Sequence, residues 1–228
     1  MNQAHLVLQS LNVLDNYVVI KLKPNFIHSF TWGDDIDIIT SDVNSAIESL
    51  YEFHKNYLGA KLHVHKFDNH QAYVDIYEKN KLLVRYDLYE NYGGYKRIKI
   101  KPHFFSDLIA GREKISIQDG SANFELYVPS LEHEALIRFM EYSEYYWVGP
   151  DKIKHLNFIE SKKLNTPDFF KSLHYYTEIS KEYPSNRGLS TTFNKLVLDI
   201  LKAKKTLGVT PITLWPKKII SYLKKLCL

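Results

Sequence analysis

The run Asp35-Ile36-Asp37-Ile38-Ile39 constrains this chain more than any other part of its sequence. Acidic and apolar residues alternate in it, and a period of two is typical of a β-strand with one buried face. The isoleucines are then expected to enter the core, while Asp35 and Asp37 share the opposite face. Two carboxylates so close repel each other unless a cation lies between them. The run therefore predicts either a Mg²⁺ site or an edge strand protected by acids.

The composition is that of a globular protein without a disulfide framework. Of the 228 residues, 45% are hydrophobic and 25% are charged, which are ordinary globular values. The single cysteine, Cys227, excludes an internal disulfide and a zinc site built from cysteines. The N-terminus has no signal-peptide pattern, and no apolar run is long enough to span a bilayer. We therefore expect a cytoplasmic protein.

Strand-like and helical patterns divide the sequence into two halves. The first half predicts one helix, at 43–57, and strands at 16–22, 36–40, 61–67, 71–78, 82–90, 97–100 and 124–128. The second half predicts helices at 130–147, 152–162, 168–181, 191–207 and 216–226. Strands followed by helices indicate an α+β fold. We predict an α/β core at 1–129 and a helical C-terminal region at 130–228.

The order of these elements gives the acid pair a distinctive setting. A helix follows the Asp-Ile-Asp strand, then come two strands, a tight turn and a strand that carries Asp87 between apolar residues. This order resembles the nucleotidyltransferase superfamily, above all its small antibiotic-modifying and capsule-cluster members, over roughly the first 160 residues. The resemblance implies a mixed sheet with flanking helices, in which Asp35, Asp37 and Asp87 are the catalytic carboxylates and Mg²⁺ ligands. Asp75, one strand earlier, is the alternative third acid.

The resemblance also implies an activity. A Mg²⁺-dependent enzyme would move a nucleoside monophosphate from an NTP to a small hydroxyl acceptor, such as a sugar or sugar phosphate of surface-polysaccharide synthesis. Candidates for binding the phosphates are Lys21, Lys23, Gly33, Arg85 and Lys154. The superfamily usually carries Gly-Gly or Gly-Ser before the acid pair, whereas this chain has KLKPNF in that stretch. The alternative is therefore a non-catalytic binding or regulatory module of the same fold, of toxin–antitoxin or defence type.

The C-terminal segment differs from the rest of the chain in charge. From residue 190 onward there are eight lysines and one acid, Asp199, so this segment carries +7 and the remainder −3, which together give the net +4. The predicted helix at 216–226 has apolar residues on one side and lysines on the other. This pattern is typical of a helix that contacts an anionic membrane, and equally of a terminal helix docked on its own protein. The slightly acidic body argues against a nucleic-acid partner.

Three smaller groups of residues leave alternatives open. His63 and His65 lie two apart on a predicted strand, so they are either two ligands for one metal or two polar residues of a strand face. Glu134 and Arg138 have the spacing of an i,i+4 salt bridge on a helix. An aromatic cluster fits either a buried core or a surface that stacks on a base or sugar: Tyr142, Tyr145, Tyr146 and Trp147.

Overall fold

The fold is known from a computed structural model, which describes residues 3–23, 25–58, 60–91, 95, 98–145, 153–164 and 166–179. The chain divides into two units, Met1–Ser180 and Lys181–Leu228, and the second lies outside the described residues. The predicted helices at 191–207 and 216–226 therefore lie outside them too, as do Tyr146 and Trp147. The domain boundary predicted after residue 129 stays a prediction.

A five-stranded sheet is the centre of the described unit. Its strands are β1 (Tyr17–Val19), β2 (Asp34–Thr40), β3 (Lys61–Lys66), β4 (Gln71–Glu78) and β5 (Lys81–Tyr89). They lie in the order β1-β2-β5-β4-β3. The β2 and β5 strands are parallel, and the other neighbours are antiparallel. The sheet is therefore mixed, and the α+β class predicted from the sequence is confirmed.

Seven helices and two small two-stranded sheets complete the described elements. The helices are α1 (Gln3–Leu11), α2 (Phe26–Ser29), α3 (Val43–Leu58), α4 (His103–Ala110), α5 (Leu131–Tyr145), α6 (Ile153–Ser161) and α7 (Pro167–Tyr176). One small sheet pairs β6 (Ile98–Ile100) with β9 (Thr177–Ile179), and the other pairs β7 (Glu113–Asp119) with β8 (Ala122–Val128). Within the described part of the chain, no helix has the length and apolar character needed to cross a membrane.

One face of the five-stranded sheet forms the main core. The inward residues of β2, β4 and β5 are almost fully buried there: Ile36, Ile38, Ala72, Val74, Ile76, Val84, Tyr86 and Leu88. Helices α1 and α3 contribute Leu8, Leu11 and Leu50 to the same cluster. Because each such side chain contributes about 1.5–3 kcal/mol when fully buried, this face fixes the strand register. The residues that alternate with them must therefore point to the other face.

A polar network lies inside this core. The Tyr86 hydroxyl lies 2.6 Å from Ser10 Oγ on α1 and 3.3 Å from His54 Nε2 on α3. His54 is fully buried, and burial lowers the pKa of its imidazole to about 4. The network therefore joins both helices to the sheet while His54 remains neutral.

A second buried cluster involves the helices of the C-terminal part of the unit. Helix α4 buries Phe104 and Leu108. Helical spacing predicts a buried stripe on α5 of Ala135, Leu136, Phe139, Met140 and Trp147; the first four are buried, and Trp147 lies outside the described residues. Its first turn begins after Ser130, whose Oγ lies 2.8 Å from His133 Nδ1. The i,i+4 pair is also confirmed, since Arg138 Nε and Nη2 donate to Glu134 Oε1 at 2.9 and 2.6 Å.

Two differences from the sequence expectations concern secondary structure. The helix predicted at 168–181 is wrong in its last turn, because α7 ends at Tyr176 and Thr177–Ile179 forms β9. The backbone of Thr177 is extended, at φ −128° and ψ 155°, a conformation that β-branched residues favour. Helices α1, α2 and α4 and strand β7 were not expected. For β7 a signal exists, since Ile115 and Ile117 alternate with polar residues.

Candidate active site

The sheet face opposite the main core carries two rows of polar side chains. The strand registers place residues of β2, β5, β4 and β3 side by side, and paired residues of neighbouring strands point to the same face. The first row is Asp35, Arg85, Asp75 and His63. The second row is Asp37, Asp87, Tyr73 and His65. We call these eight residues the polar strip; its strands are about 4.8 Å apart.

The three acids expected to act together lie at one end of the polar strip. Asp37 and Asp87 are partners on the parallel strands β2 and β5, and Asp35 is two residues before Asp37. Oδ1 of Asp87 is buried and has no hydrogen-bond partner among the described residues. Burial, reinforced by the charges of Asp37 and Asp35, raises the pKa of Asp87 to about 7. Burial also raises the pKa of Asp35, against the opposing effect of Arg85. This end of the strip therefore holds negative charge that the protein only partly balances.

Asp75, the alternative third acid, has a different environment. It is only 2% exposed, and Arg85 donates to both of its oxygens, from Nε at 2.6 Å and from Nη2 at 2.8 Å. This bidentate hydrogen bond raises the pKa of the Arg85 guanidinium. Since the charge of Asp75 is already paired, Asp87 is the better candidate for a third metal ligand.

Lys21 lies directly against the acid pair. It follows β1 with φ +55°, a left-handed conformation that is uncommon for lysine. Its Nζ lies 3.1 Å from Asp37 Oδ2 and 2.8 Å from Glu141 Oε2 on α5. Although burial opposes its charged form, Asp37 and Glu141 raise the pKa of Lys21. Glu141 Oε1 is in turn 3.3 Å from Nε2 of the buried His155 on α6, so the acid pair is linked to the helical layer.

The other predicted phosphate ligands are less directly placed. Lys23 Nζ lies 2.6 Å from Asp34 Oδ1, next to the acid pair in sequence. Gly33 has φ +82°, which favours glycine, and its N–H donates to the carbonyl of Leu83 at 3.0 Å, so it is not available to a phosphate. Lys154 is exposed on α6, and no described contact joins it to the acids.

Asp34 is a structural acid within the same strand. Its carboxylate accepts hydrogen bonds from Thr31 N and Thr31 Oγ1 at 2.8 and 2.9 Å, which closes the turn before β2. Although burial opposes the effect, the hydrogen bonds from Lys23 and Thr31 lower the pKa of Asp34. Of the three acids of β2, Asp34 therefore stabilises the turn, whereas Asp35 and Asp37 belong to the polar strip.

A pocket of about 420 Å³ lies beside the edge strand β1. Lys21 and Lys23 form part of its wall, together with Phe26 from α2 and Ile115 and Ser116 from the β7–β8 hairpin. Its volume is within the usual range of small-molecule sites, roughly 300–1,000 Å³. Because Lys21 contacts Asp37, the pocket adjoins the acid pair on the β1 side, whereas Lys23 contacts Asp34.

The donor chemistry of the three acids suits a hard cation. Mg²⁺ prefers carboxylate oxygen, and Asp87 offers a buried oxygen without a partner. As the side chains stand, the described residues contain no group of three or more His, Cys, Asp or Glu arranged to hold a metal ion. The ammonium of Lys21 lies on Asp37 instead. The residues fit Mg²⁺, provided that Lys21 gives up its contact with Asp37.

Sequence reasoning missed Glu141 as a neighbour of the site, and with it the contact between Glu141 and His155. Both lie on helices that follow the sheet in sequence, and only the packing of α5 and α6 brings them near Lys21. A buried acid within an apolar helical stripe was the available signal, since a buried charge requires a partner.

Comparisons with known proteins give no independent indication of function. No family model matches the chain, and no similar protein was found among curated proteins.

Proposed function

We infer that this protein is a Mg²⁺-dependent nucleotidyltransferase with a nucleotidyltransferase-like sheet and a helical C-terminal region. It moves a nucleoside monophosphate from an NTP to a small hydroxyl acceptor, such as a sugar or sugar phosphate of surface-polysaccharide synthesis. One observation carries the proposal: Asp35, Asp37 and Asp87 share one face of two parallel strands, and Asp87 keeps an unpartnered buried oxygen. Carboxylates without enough cationic partners are costly for the fold alone, so a ligand accounts for them better than stability does.

The proposed reaction is a single displacement at phosphorus. The acceptor hydroxyl oxygen forms a bond to the α-phosphorus, and the bond from that phosphorus to the bridging oxygen of the β-phosphate breaks. Pyrophosphate leaves with the electron pair, and the hydroxyl proton passes to a carboxylate or to solvent. When bound by Asp35, Asp37 and Asp87, Mg²⁺ supplies charge neutralisation to the phosphates. The protein itself contributes mainly positioning and electrostatics.

The nucleotide is best accommodated on the β1 side of the acids. Lys21 and Lys23 bring two ammonium groups to the wall of the pocket beside β1. Their present partners are Asp37, Glu141 and Asp34. Phosphate oxygens would compete for these ammonium groups once a metal neutralises Asp37. Phe26 and Ile115 give the same pocket an apolar wall, which suits the base.

The second candidate function is a non-catalytic binding module of the same fold. The ion pair between Lys21 and Asp37 favours it, because the Lys21 ammonium already binds the carboxylate of one proposed metal ligand. The hydrogen bond from the Gly33 N–H to the carbonyl of Leu83 favours it as well, since this N–H does not bind a triphosphate. This module would bind its partner without Mg²⁺ and without turnover.

A thermal-shift panel of the four NTPs, with and without Mg²⁺, separates the two functions. For the enzyme, we expect one or more NTPs to raise the melting temperature only when Mg²⁺ is present, and pyrophosphate to be released when an acceptor is added. Asp37→Asn should remove both responses, because an amide oxygen is a poorer Mg²⁺ ligand than a carboxylate.

Asp34→Asn is the matched control. Asp34 lies on the same strand but holds the turn through Thr31 and binds Lys23. Its variant should lose stability while retaining the response to Mg²⁺ and NTP. If Asp37→Asn responds to Mg²⁺ and nucleotide like the wild type, the catalytic assignment fails. If neither protein responds, the binding-module alternative is preferred.

A further inference from the structure

The half of the polar strip that lies beyond the acids is open and differs in charge. It consists of Arg85 on β5, Tyr73 and Asp75 on β4, and His63 and His65 on the edge strand β3. Both histidines are exposed, and the side chain of Arg85 is 34% exposed. Asp75 is the single acid in this half and is paired. The strip therefore changes from carboxylates at β2 to guanidinium and imidazole groups towards β3.

Arg85 is held in one orientation with donors to spare. Asp75, which is almost completely buried, accepts from Nε and Nη2, and the guanidinium also lies over the ring of Tyr73, 5.2 Å from its centroid. Arginine has five N–H donors, so Nη1 remains without a described hydrogen-bond partner. Asp75 is a positioning residue, because it is buried and fixes the orientation of Arg85 on an open face. A guanidinium that is already fixed loses little conformational freedom when it binds an oxyanion.

The edge of the strip adds further donors and a ring surface. His63 is the register partner of Asp75, and His65 is the partner of Tyr73. The rings of His63 and Tyr77 lie 5.0 Å apart, and Lys61, two residues before His63, carries a further positive charge on this face. Two strand spacings separate β3 from Asp87 on β5, which is about 10 Å. This distance suits a molecule of the size of one sugar ring with a phosphate.

We propose that this half of the strip binds the phosphate monoester of the acceptor, so that the acceptor is a phosphorylated hydroxyl compound. Arg85 and the pair His63 and His65 bind the phosphate, and the hydroxyl points along the strip towards Asp87. That the bound compound is the acceptor rests on the proposed function. The phosphate site itself is supported by the residues of the polar strip alone. The NTP does not compete for it, because Lys21, Lys23 and their pocket lie beside β1, on the other side of the acids.

The test uses the full chain in buffer with EDTA, so that neither metal nor nucleotide takes part. Glucose 1-phosphate and inorganic phosphate are titrated by calorimetry, and glucose serves as the unphosphorylated probe. Both phosphates should bind in the millimolar range, while glucose should not. The double variant His63→Ala/His65→Ala should weaken the binding of both phosphates by about fivefold or more.

Lys66→Ala is the matched control, since Lys66 is exposed on the same strand but its side chain points to the opposite face, where Nζ contacts Asn44 Oδ1 at 2.7 Å. Its phosphate affinity should equal that of the wild type. The proposal is overturned if glucose binds as well as its phosphate, if neither phosphate binds, or if Lys66→Ala weakens binding as much as the histidine variant. It is equally overturned if the histidine variant binds both phosphates as tightly as the wild type does.

The failure of this site and the failure of the enzyme assignment can be told apart with Asp37→Asn. This variant retains Arg85, His63 and His65, so it should bind glucose 1-phosphate at least as well as the wild type. A protein that binds the phosphate ester without any response to Mg²⁺ and NTP retains the phosphate site but not the nucleotidyl transfer. A protein that responds to Mg²⁺ and NTP but does not bind glucose 1-phosphate would instead support the nucleotidyl transfer and contradict a phosphorylated acceptor.

Discussion

Asp87→Asn should make the protein more stable at alkaline pH and leave it almost unchanged at acid pH. Burial and the neighbouring charges of Asp37 and Asp35 raise the pKa of Asp87 from 3.8 to about 7. The unfolded chain releases this proton near pH 3.8, whereas the folded protein releases it near pH 7. The free energy of unfolding therefore decreases as the pH rises from about 4 to 7, and this contribution is fully lost above pH 7.

The size of the effect follows from that difference. At about 1.36 kcal/mol per pKa unit, a carboxylate shifted from 3.8 to about 7 costs the folded state at most about 4 kcal/mol. Asp87 is only partly buried, and solvent screens such a charge, so we expect about 1–3 kcal/mol. An amide in its place does not ionise. The variant should therefore exceed the wild type by this amount at pH 8 and by little at pH 4.5.

Urea unfolding at the two pH values, followed by tryptophan fluorescence, measures this difference directly. Asp75→Asn is the control, because the same change there breaks the bidentate hydrogen bond from Arg85 and should lower stability by about 1–3 kcal/mol at pH 8. If Asp87→Asn is also less stable than the wild type at pH 8, then Asp87 has a structural partner. The carboxylate of Asp87 would then be paired within the fold and would not be free to bind a ligand.

Two further predictions concern the core and the tail. His54→Gln should reduce the loss of stability on acidification, because burial lowers the pKa of His54 to about 4. The neutral imidazole therefore contributes at most about 3 kcal/mol to the free energy of unfolding. This contribution is present above pH 6.5 and is lost as the pH falls to 4. Urea unfolding at pH 7 and 4.5 measures this, and an unchanged pH dependence would contradict it. Deletion of 216–228, which lies outside the described residues, should weaken binding to anionic vesicles in a flotation assay if the tail contacts lipid; a large decrease in melting temperature would instead show a docked helix.

The sheet was the part of the fold that the sequence predicted best. Along 35–38 of β2, 72–76 of β4 and 84–88 of β5, apolar or aromatic residues of the main core alternate with Asp, Arg or Tyr, which indicates the side that each residue faces. The sequence offers Ser41 or Asp42 as the cap of α3, and in the structure Asp42 Oδ1 accepts from Asn44 N and Ser45 N at 2.9 and 3.0 Å. Residue alternation and capping chemistry are sufficient to predict an element when the residues that indicate it lie within that element.

The parts that the sequence did not reveal depend on contacts between distant elements. Helix α1 has no acidic first turn and no basic last turn, and nothing in its local sequence indicates that it packs on Tyr86 through Ser10. The pairing of Asp75 with Arg85 depends on strand order rather than on either strand alone. The same holds for Asp87 Oδ1, which has no hydrogen-bond partner within the described part of the chain. The choice between the two acids therefore required the register between β4 and β5.

The contacts of Lys21 with Asp37 and Glu141 couple the packing of helix α5 to the charge of the acid pair. Any ligand that neutralises Asp37 leaves Lys21 to Glu141 alone, which strengthens the hold of the sheet on α5. By thermodynamic reciprocity, whatever draws α5 away from the sheet returns Lys21 to Asp37 and lowers the affinity of the acids for a cation. A residue in helix α5, far along the chain from the acid pair, would thus adjust how readily that pair binds a cation.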